Sequence, residues 1–259
     1  MIQTLKEWRR RRRRERKFLQ RFTPITELAA EDVFVVGYPK SGNTWFQELI
    51  AGTVYGVSPL LAPLSVAQEL VPDLHATPFF KRFATPMFFK SHHLPRPEFR
   101  RVVYLLRDGR DVMVSLYHYR QKRGATMDLR QLVQTGDNAL YGKWPVHVTA
   151  WLANPHQAQM LVIKYEELRQ DTASQLARFC DFIGVTRERS LLESVAGQTS
   201  FEKMQAKEIQ TGDGHADWPK DQLFRRRGKV GSYKDEMPPE VLEVFMAEAG
   251  DTLKRCGYA

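Results

Sequence analysis

Short, unbroken apolar runs alternate along the chain with stretches in which apolar residues recur every three or four positions. Val33-Phe34-Val35-Val36 is the first such run; lacking polar residues at alternate positions, it predicts a strand buried on both faces. The turn Gly37-Tyr38-Pro39-Lys40-Ser41-Gly42 follows, then a helical pattern from near Asn43 to about Tyr55. Residues 57–86 mix five prolines with apolar residues, which predicts irregular or short helical structure. Met87 to Lys90 reads as a second strand and Val102 to Leu106 as a third, with a helix from about Gly109 to Arg120 behind it. A helix near Trp144 to Ala153 precedes a fourth strand, Met160 to Lys164. Helices at Thr172 to Ile183 and about Arg187 to Ala196, a polar loop around Gly212-Asp213-Gly214, and an amphipathic helix from Pro239 to Cys256 complete the pattern. Strands alternating with helices predict an α/β fold: one domain, a central parallel sheet with helices on both faces, and a P-loop-like phosphate-binding loop.

Composition refines this picture in three places. The 259 residues contain no Gly/Ser or Pro linker, so the expected organisation is one domain, residues 23–259, behind a basic N-terminal arm, residues 1–22. The arm carries ten basic residues against two acidic ones, a net +8 of the chain's +9, which leaves the domain at +1. Such a block suits an anionic surface, lipid or other, and equally a solvated, partly helical arm; no specific nucleic-acid site is expected. No apolar run reaches membrane-spanning length, the arm lacks the apolar centre of a secretory signal, and Cys180 and Cys256 stand far apart without metal-ligand spacing. The expectation is a cytoplasmic protein without a structural metal, with membrane association through the arm as a variant.

The most informative segment is Gly37 to Thr44. It has the outer frame of a P-loop: glycine, four residues, glycine, then threonine two positions on. Nucleoside-triphosphate loops place lysine directly after the second glycine, with Ser or Thr next for Mg²⁺. Here Asn43 takes that slot and the lysine stands upstream at Lys40. Backbone amides and the helix N-terminus still suit a phosphate. The set for a β,γ-phosphate and its metal is missing, which disfavours a nucleotide kinase or ATPase. Lys40 suits a 5′-phosphate that departs with added negative charge. Trp45 fits either a buried helix position or a stack on a base. Arg107 ends the third strand, on the edge where parallel sheets bind ligands, with Ser115 eight residues on in the next helix. The pair fits a second phosphate; the alternative is Arg107 paired with Asp108 or Asp111.

At this point three segments together resemble a known family. Tyr38-Pro-Lys-Ser-Gly-Asn-Thr-Trp45 is similar to the 5′-phosphosulfate loop of the cytosolic sulfotransferases, which use 3′-phosphoadenosine-5′-phosphosulfate (PAPS). Tyr104-Leu-Leu-Arg107 through Val114-Ser-Leu-Tyr-His118 resembles their 3′-phosphate segment. Arg226-Arg-Gly-Lys-Val-Gly-Ser-Tyr-Lys234 resembles their C-terminal RKGxxGDWK element, so the resemblance spans roughly residues 33–235. It implies a PAPS-binding α/β fold and direct sulfuryl transfer without a metal, releasing PAP. It also implies that Lys40, Ser41, Gly42, Asn43 and Thr44 surround the 5′-phosphate, while Arg107, Ser115, Arg226, Arg227 and Gly228 hold the 3′-phosphate. Trp45 and Phe224 would sandwich the adenine, with Tyr165 and Thr199 also contacting it; a strand-end aromatic and a helix N-cap are the plainer roles for those two.

Phe88-Phe-Lys-Ser-His-His-Leu-Pro95 resembles the family's KTHLP element, which supplies a catalytic histidine and a nearby lysine. Two histidines stand where the family has one. Counting from Lys90 selects His92 and counting back from Leu94-Pro95 selects His93; the strand's register favours His92 as general base. Lys40 and Lys90 would stabilise charge, and Ser115 would restrain Lys40 until the acceptor binds. The acceptor is expected to be a small molecule, lipid or glycan, in a pocket built from residues 57–86, 121–148 and 206–224. Phe79, Phe80, Phe83 and Trp218 suit a phenol, steroid-like or lipid acceptor there, and each equally suits ordinary core. His75, His118, His147, His156 and His215 have no evident partner and are assigned structural or solvent roles. The family's dimer element KxxxTVxxxE keeps only Lys234 and Glu243, with Pro238-Pro239 at its centre. The rival to an enzyme is a PAP-binding adaptor, or an arginine-tailed membrane or nucleic-acid adaptor, that has lost catalysis, against which His92 and Lys40 speak.

Overall fold

The computed structural model describes residues 22–136, 141–212, 218–219 and 222–258. The basic arm, apart from Phe22, and His215 lie outside the described residues. In chain order the strands are β1 (Thr23–Pro24), β2 (Val33–Gly37), β3 (Phe79–Phe80), β4 (Phe88–Ser91), β5 (Arg101–Leu106) and β6 (Gln159–Lys164). The helices are α1 (Asn43–Tyr55), α2 (Leu64–Leu70), α3 (Gly109–Lys122), α4 (Leu129–Thr135), α5 (Trp144–Ala153) and α6 (Tyr165–Gln170). They continue with α7 (Thr172–Ile183), α8 (Arg189–Gln198), α9 (Phe201–Thr211), α10 (Tyr233–Glu236) and α11 (Pro239–Arg255).

Four strands form an all-parallel sheet in the order β4-β2-β5-β6, while β1 and β3 pair in a small antiparallel ribbon. Val33 lies opposite Phe88 on one side and Arg101 on the other, so β2 is a central strand. Its side chains alternate between two cores. Phe34 and Val36 join Phe89, Val102 and Tyr104 under α3, α5 and α11, where Trp144, Trp151 and Phe245 fill the layer. Val33 and Val35 join Phe88, Val103 and Ile163 under α1, α7 and α8, against Phe46, Phe179 and Leu192. Both faces are covered, which is why the strand reads as an unbroken apolar run.

Helix limits follow capping chemistry. The Asp108 side chain caps α3 by accepting from the Arg110 amide, and Asp171 caps α7 by accepting from Ser174. The helix expected from about Arg187 begins at Arg189, because Arg187 instead donates to the Thr53 and Val54 carbonyls that end α1, at 2.8 and 3.1 Å. Helix α9 occupies part of the segment expected to be a loop; its inner face buries Glu208 beside Met204, so apolar periodicity does not reveal it. Pro238 and Pro239 stop α10 and start α11. No helix among the described residues is long and apolar enough to cross a membrane.

Strand order decides where ligands go. The connection leaving β2 runs to β4 on one side, and the connection leaving β4 crosses back to β5 on the other. The carboxyl ends of β2 and β5 therefore frame the crevice where open α/β sheets bind ligands. The turn Gly37–Gly42 and Arg107 both lie there.

Candidate active site

A cavity of about 650 Å³ opens over those strand ends, a size that suits a small organic ligand. Of the residues expected to hold the donor, and of His92, Lys40 and Lys90, all but Ser41 line it. Ser41 is buried and does not line it.

The first end of the cavity is the turn into α1. Gly42 is the N-cap residue at φ 103°, so no capping side chain covers the first amides of the helix. A Cβ at Gly42 would stand 3.0 Å from the Tyr165 ring, which keeps the turn bare. Asn43 turns inward, its Nδ2 donating to the Val35 carbonyl at 3.5 Å. Lys40, itself left-handed at φ 73°, places its ammonium 4.5 Å from the centres of both the Tyr119 and Phe224 rings. Burial, then the nearby charges of Arg107, Lys90, Lys122 and Arg226, bring the Lys40 pKa down to about 7. A cation destabilised by other cations is a group that an anion would restore.

The second end gathers guanidinium groups. Arg107 donates from Nη1 to the Lys40 carbonyl at 3.0 Å and lies 4.2 Å over the Tyr165 ring, while its buried Nε has no hydrogen-bond partner. It pairs with neither Asp108 nor Asp111. Asp108 holds Arg110 at 2.7 Å, and Asp111 accepts from the Gly231 amide, the Ser232 hydroxyl and the Tyr233 amide. That ties the start of α3 to the C-terminal loop. Arg226 and Arg227 both reach Glu236, at 2.6 and 2.9 Å, and His118 Nε2 meets the same carboxylate at 2.8 Å. Burial raises the Glu236 pKa, but its bonds to Arg226 and His118 outweigh that and hold it below the usual carboxylate range. Arg225 points elsewhere, into a buried pair with Glu48 and Glu208, and Glu208 also accepts from the Phe224 and Arg225 amides.

The wall between the two ends carries the titrating groups. His92 donates from Nδ1 to the Gly37 carbonyl at 2.6 Å, so its Nε2 keeps a lone pair. Burial first, and Lys90 second, push its pKa down to about 3, so the ring is neutral at physiological pH. Lys90 pairs with Asp73 at 2.8 Å. His93 points away: its Nδ1 accepts from Arg96 Nη2 at 3.0 Å, and it does not line the cavity. Of the two histidines, the structure brings only His92 together with Lys40 and Lys90.

The aromatic assignments divide. Trp45 and Tyr165 meet edge to face at 5.9 Å beside Arg107. Phe224 meets Trp218 edge to face at 5.3 Å and covers Lys40, so its neighbours differ from those of Trp45, although both line the cavity. Thr199 is the C-cap of α8, its hydroxyl donating back to the Val195 carbonyl at 3.0 Å; the N-cap of α9 is Ser200. Trp218 lines the cavity, but Phe80 is core, and Phe79 and Phe83 face solvent at 43% and 46% exposure. The cavity wall beside His92 is instead Asp73, His75, Thr77 and Tyr141. Three histidines assigned no partner have one: His75 and His147 both bond the His92 backbone, and His118 bonds Glu236. Only their folding onto residues far along the chain reveals these roles.

A parallel α/β sheet, a side-chain-free helix N-terminus at its switch point, a cluster of arginines and a neutral histidine make a cleft suited to a phosphorylated, anionic ligand. Comparison with known proteins identifies the class further. The sulfotransferase domain family matches residues 30–257, and the chain belongs to it. Sulfotransferase 2B1 of Homo sapiens is 28% identical over 249 residues, which cover 85% of this chain and 65% of that protein. The 3-alpha-hydroxysteroid sulfotransferase of Cavia porcellus is 30% identical over 254 residues, 88% of this chain and 85% of that one. The solved structure of retinol dehydratase in complex with androsterone and the inactive cofactor PAP shares the fold: TM-score 0.68 at 21% identity, covering 88% of this chain and 82% of that one.

Proposed function

We propose that this chain transfers a sulfuryl group from PAPS to a hydroxyl or amine of a small-molecule, lipid or glycan acceptor by in-line displacement, releasing PAP, with His92 as general base. The observation that carries this reading is the tautomer of His92: Gly37 holds Nδ1, which leaves Nε2 basic in the cavity shared with Lys40 and Lys90. The residues present fit such a donor. A bare helix N-terminus and a depressed lysine suit the 5′ end, and the partnerless Nε of Arg107 suits the 3′ end.

Lys40, with the backbone of Ser41, Gly42, Asn43 and Thr44, would hold the 5′-phosphate. Arg107, Ser115, Arg226, Arg227 and Gly228 would hold the 3′-phosphate, and Trp45, Tyr165, Thr199 and Phe224 the base. PAPS supplies the activated sulfuryl group and the phosphate that departs. His92 Nε2 would accept the proton of the acceptor as its oxygen approaches sulfur, a contribution of roughly 10²–10⁴-fold. Lys40 and Lys90 would meet the negative charge gained by the departing phosphate. The hydroxysteroid and retinoid relatives favour a hydroxyl acceptor, and the polar wall of Asp73, His75 and Tyr141 favours one with further polar groups beside it. We place the enzyme in the cytoplasm, with the arm as an anionic-surface contact that anionic vesicles and removal of residues 1–22 would test.

The reading is tested with ³⁵S-labelled PAPS against a simple phenol such as 2-naphthol and a hydroxysteroid. Label should pass to an acceptor, and His92→Ala should lower the rate by about 10²–10⁴-fold with donor binding kept. A His92→Ala protein that transfers as fast as the parent would remove His92 from the role.

A further inference from the structure

His92 is held at three atoms. Its ring Nδ1 donates to the Gly37 carbonyl at 2.6 Å, its carbonyl accepts from His147 Nε2 at 3.1 Å, and its amide donates to His75 Nε2 at 2.9 Å. These bonds respond differently to a proton. The Gly37 carbonyl does not titrate. His147 donates from Nε2 whether neutral or charged, and its Nδ1 faces the Tyr104 hydroxyl, which can turn to accept. His75 Nε2 must be unprotonated to accept the His92 amide, since a proton there would set donor against donor.

His75 is fixed in that position from both sides. Its own amide donates to Asp73 Oδ1 at 2.9 Å, and Asp73 Oδ2 holds Lys90 at 2.8 Å. The backbone around it joins the edge of the sheet, the Leu74 amide donating to the Lys90 carbonyl at 3.0 Å. Its ring stacks on His92 at 5.6 Å and 24°, lies 4.0 Å from the His93 ring, and meets Tyr141 edge-on at 5.2 Å. Asp73-Leu74-His75 thus attaches to the Lys90 ammonium and to the His92 backbone together.

We infer that His75 is a positioning residue for the transfer reaction: its unprotonated Nε2 fixes the His92 backbone and so the aim of His92 Nε2, and a proton on His75 releases that hold. The inference rests on His92 being the base. The charged and titratable groups around His75 are Asp73 on its own loop, Lys90 from β4, His92 and His93 beyond β4, Arg96 and Tyr141. Burial opposes the proton most; Asp73 favours it, Lys90 and Arg96 oppose it, and the balance holds His75 below the usual histidine range. The hold is therefore intact at neutral pH and fails as pH falls. His92 itself, pushed to about 3, protonates later on that descent.

The test uses the full chain with ¹⁵N-labelled histidine and two variants. His75→Gln offers an amide oxygen to the same N–H without titrating; His75→Ala leaves the N–H unmet. In the parent protein, free of donor, the His92 ring nitrogens should shift with the midpoint of His75, and that step should vanish in His75→Gln. With ³⁵S-PAPS and 2-naphthol, His75→Ala should lose roughly 10- to 100-fold in kcat at little change in donor KM, the cost of a misplaced catalytic group. His75→Gln should recover most of that rate and stay active at acid pH where the parent falls. A His75→Gln protein that keeps the parent's acid limb, or His92 signals that ignore His75, would overturn the inference, and so would parental kcat in His75→Ala. If His75→Ala does not fold, the parent spectra and His75→Gln decide. Full activity in His92→Ala would instead sink the base assignment, while the spectra would still report whether His75 holds the His92 amide.

Discussion

Replacing Gly228 with alanine should damage donor binding while leaving the domain folded. Gly228 stands at φ 57°, and a Cβ there would lie 2.3 Å from Cδ2 of Phe201 and 2.7 Å from its Cε2 and Cγ. The left-handed backbone costs an alanine about 1–2 kcal/mol. Overlap with a packed ring adds about 1–3 kcal/mol. Phe201 begins helix α9, whereas residues 226–229 form an irregular loop, so the loop is the part that yields. It would carry Arg226 and Arg227 away from the cavity, and the cost would fall on the complex, which needs them back. Taken together, about 2–5 kcal/mol corresponds to a loss of roughly 30- to 5000-fold in PAP affinity. Isothermal titration calorimetry reads the affinity and a melting curve checks the fold, with little change in Tm expected. Phe201→Ala in the same chain should recover only the overlap part of the loss. Affinity within about twofold of the parent for Gly228→Ala, or no recovery in the double variant, would refute the reasoning.

Lys40→Met should weaken donor binding and raise the Tm of the free protein. The folded pKa of Lys40, about 7, lies below its ordinary value of 10.5, so between those pH values unfolding takes up a proton and this group's contribution to stability rises with pH. Lys40→Met should remove that slope. By the same linkage PAP binding at pH 8 should take up a proton in the parent and less in the variant, as calorimetry in buffers of different ionisation enthalpy would show; equal uptake in both would contradict it. Asp111→Ala should cost about 2–3 kcal/mol of stability, because it strips the Gly231 and Tyr233 amides and the Ser232 hydroxyl of one buried acceptor. It should also weaken PAP binding by freeing the loop behind Arg226, and an unchanged urea midpoint would show that water replaces the carboxylate.

Much of this site was legible because its parts announce themselves locally. Strands β2 and β5 are buried on both faces and read as apolar runs, and the glycine spacing of residues 37–42 marks a bare turn whatever packs around it. Arg107 could be placed by its position at a strand end alone. The carboxylates that hold the loops were not legible: Glu208 and Glu48 clamp Arg225, and Glu236 collects Arg226 and Arg227, through contacts no local pattern encodes. Nor was His75, which accepts from the His92 amide 17 residues on. Aromatic content misled at Phe79, Phe80 and Phe83, since composition does not tell which side of the β1–β3 ribbon faces the cavity. Side-chain direction separates the doubled histidine only once the chain is folded, His92 turning toward Gly37 and His93 toward Arg96.

The proposed function requires that the cavity take a 3′-phosphorylated adenosine phosphate and not a metal-bound triphosphate. Calorimetric titration of the purified chain with PAP and, separately, with ATP and Mg²⁺ tests it most directly. The site described here predicts tight PAP binding that Arg107→Ala weakens, with little response to Mg-ATP. No PAP binding, or a preference for Mg-ATP, would contradict it and put a nucleotide kinase in its place.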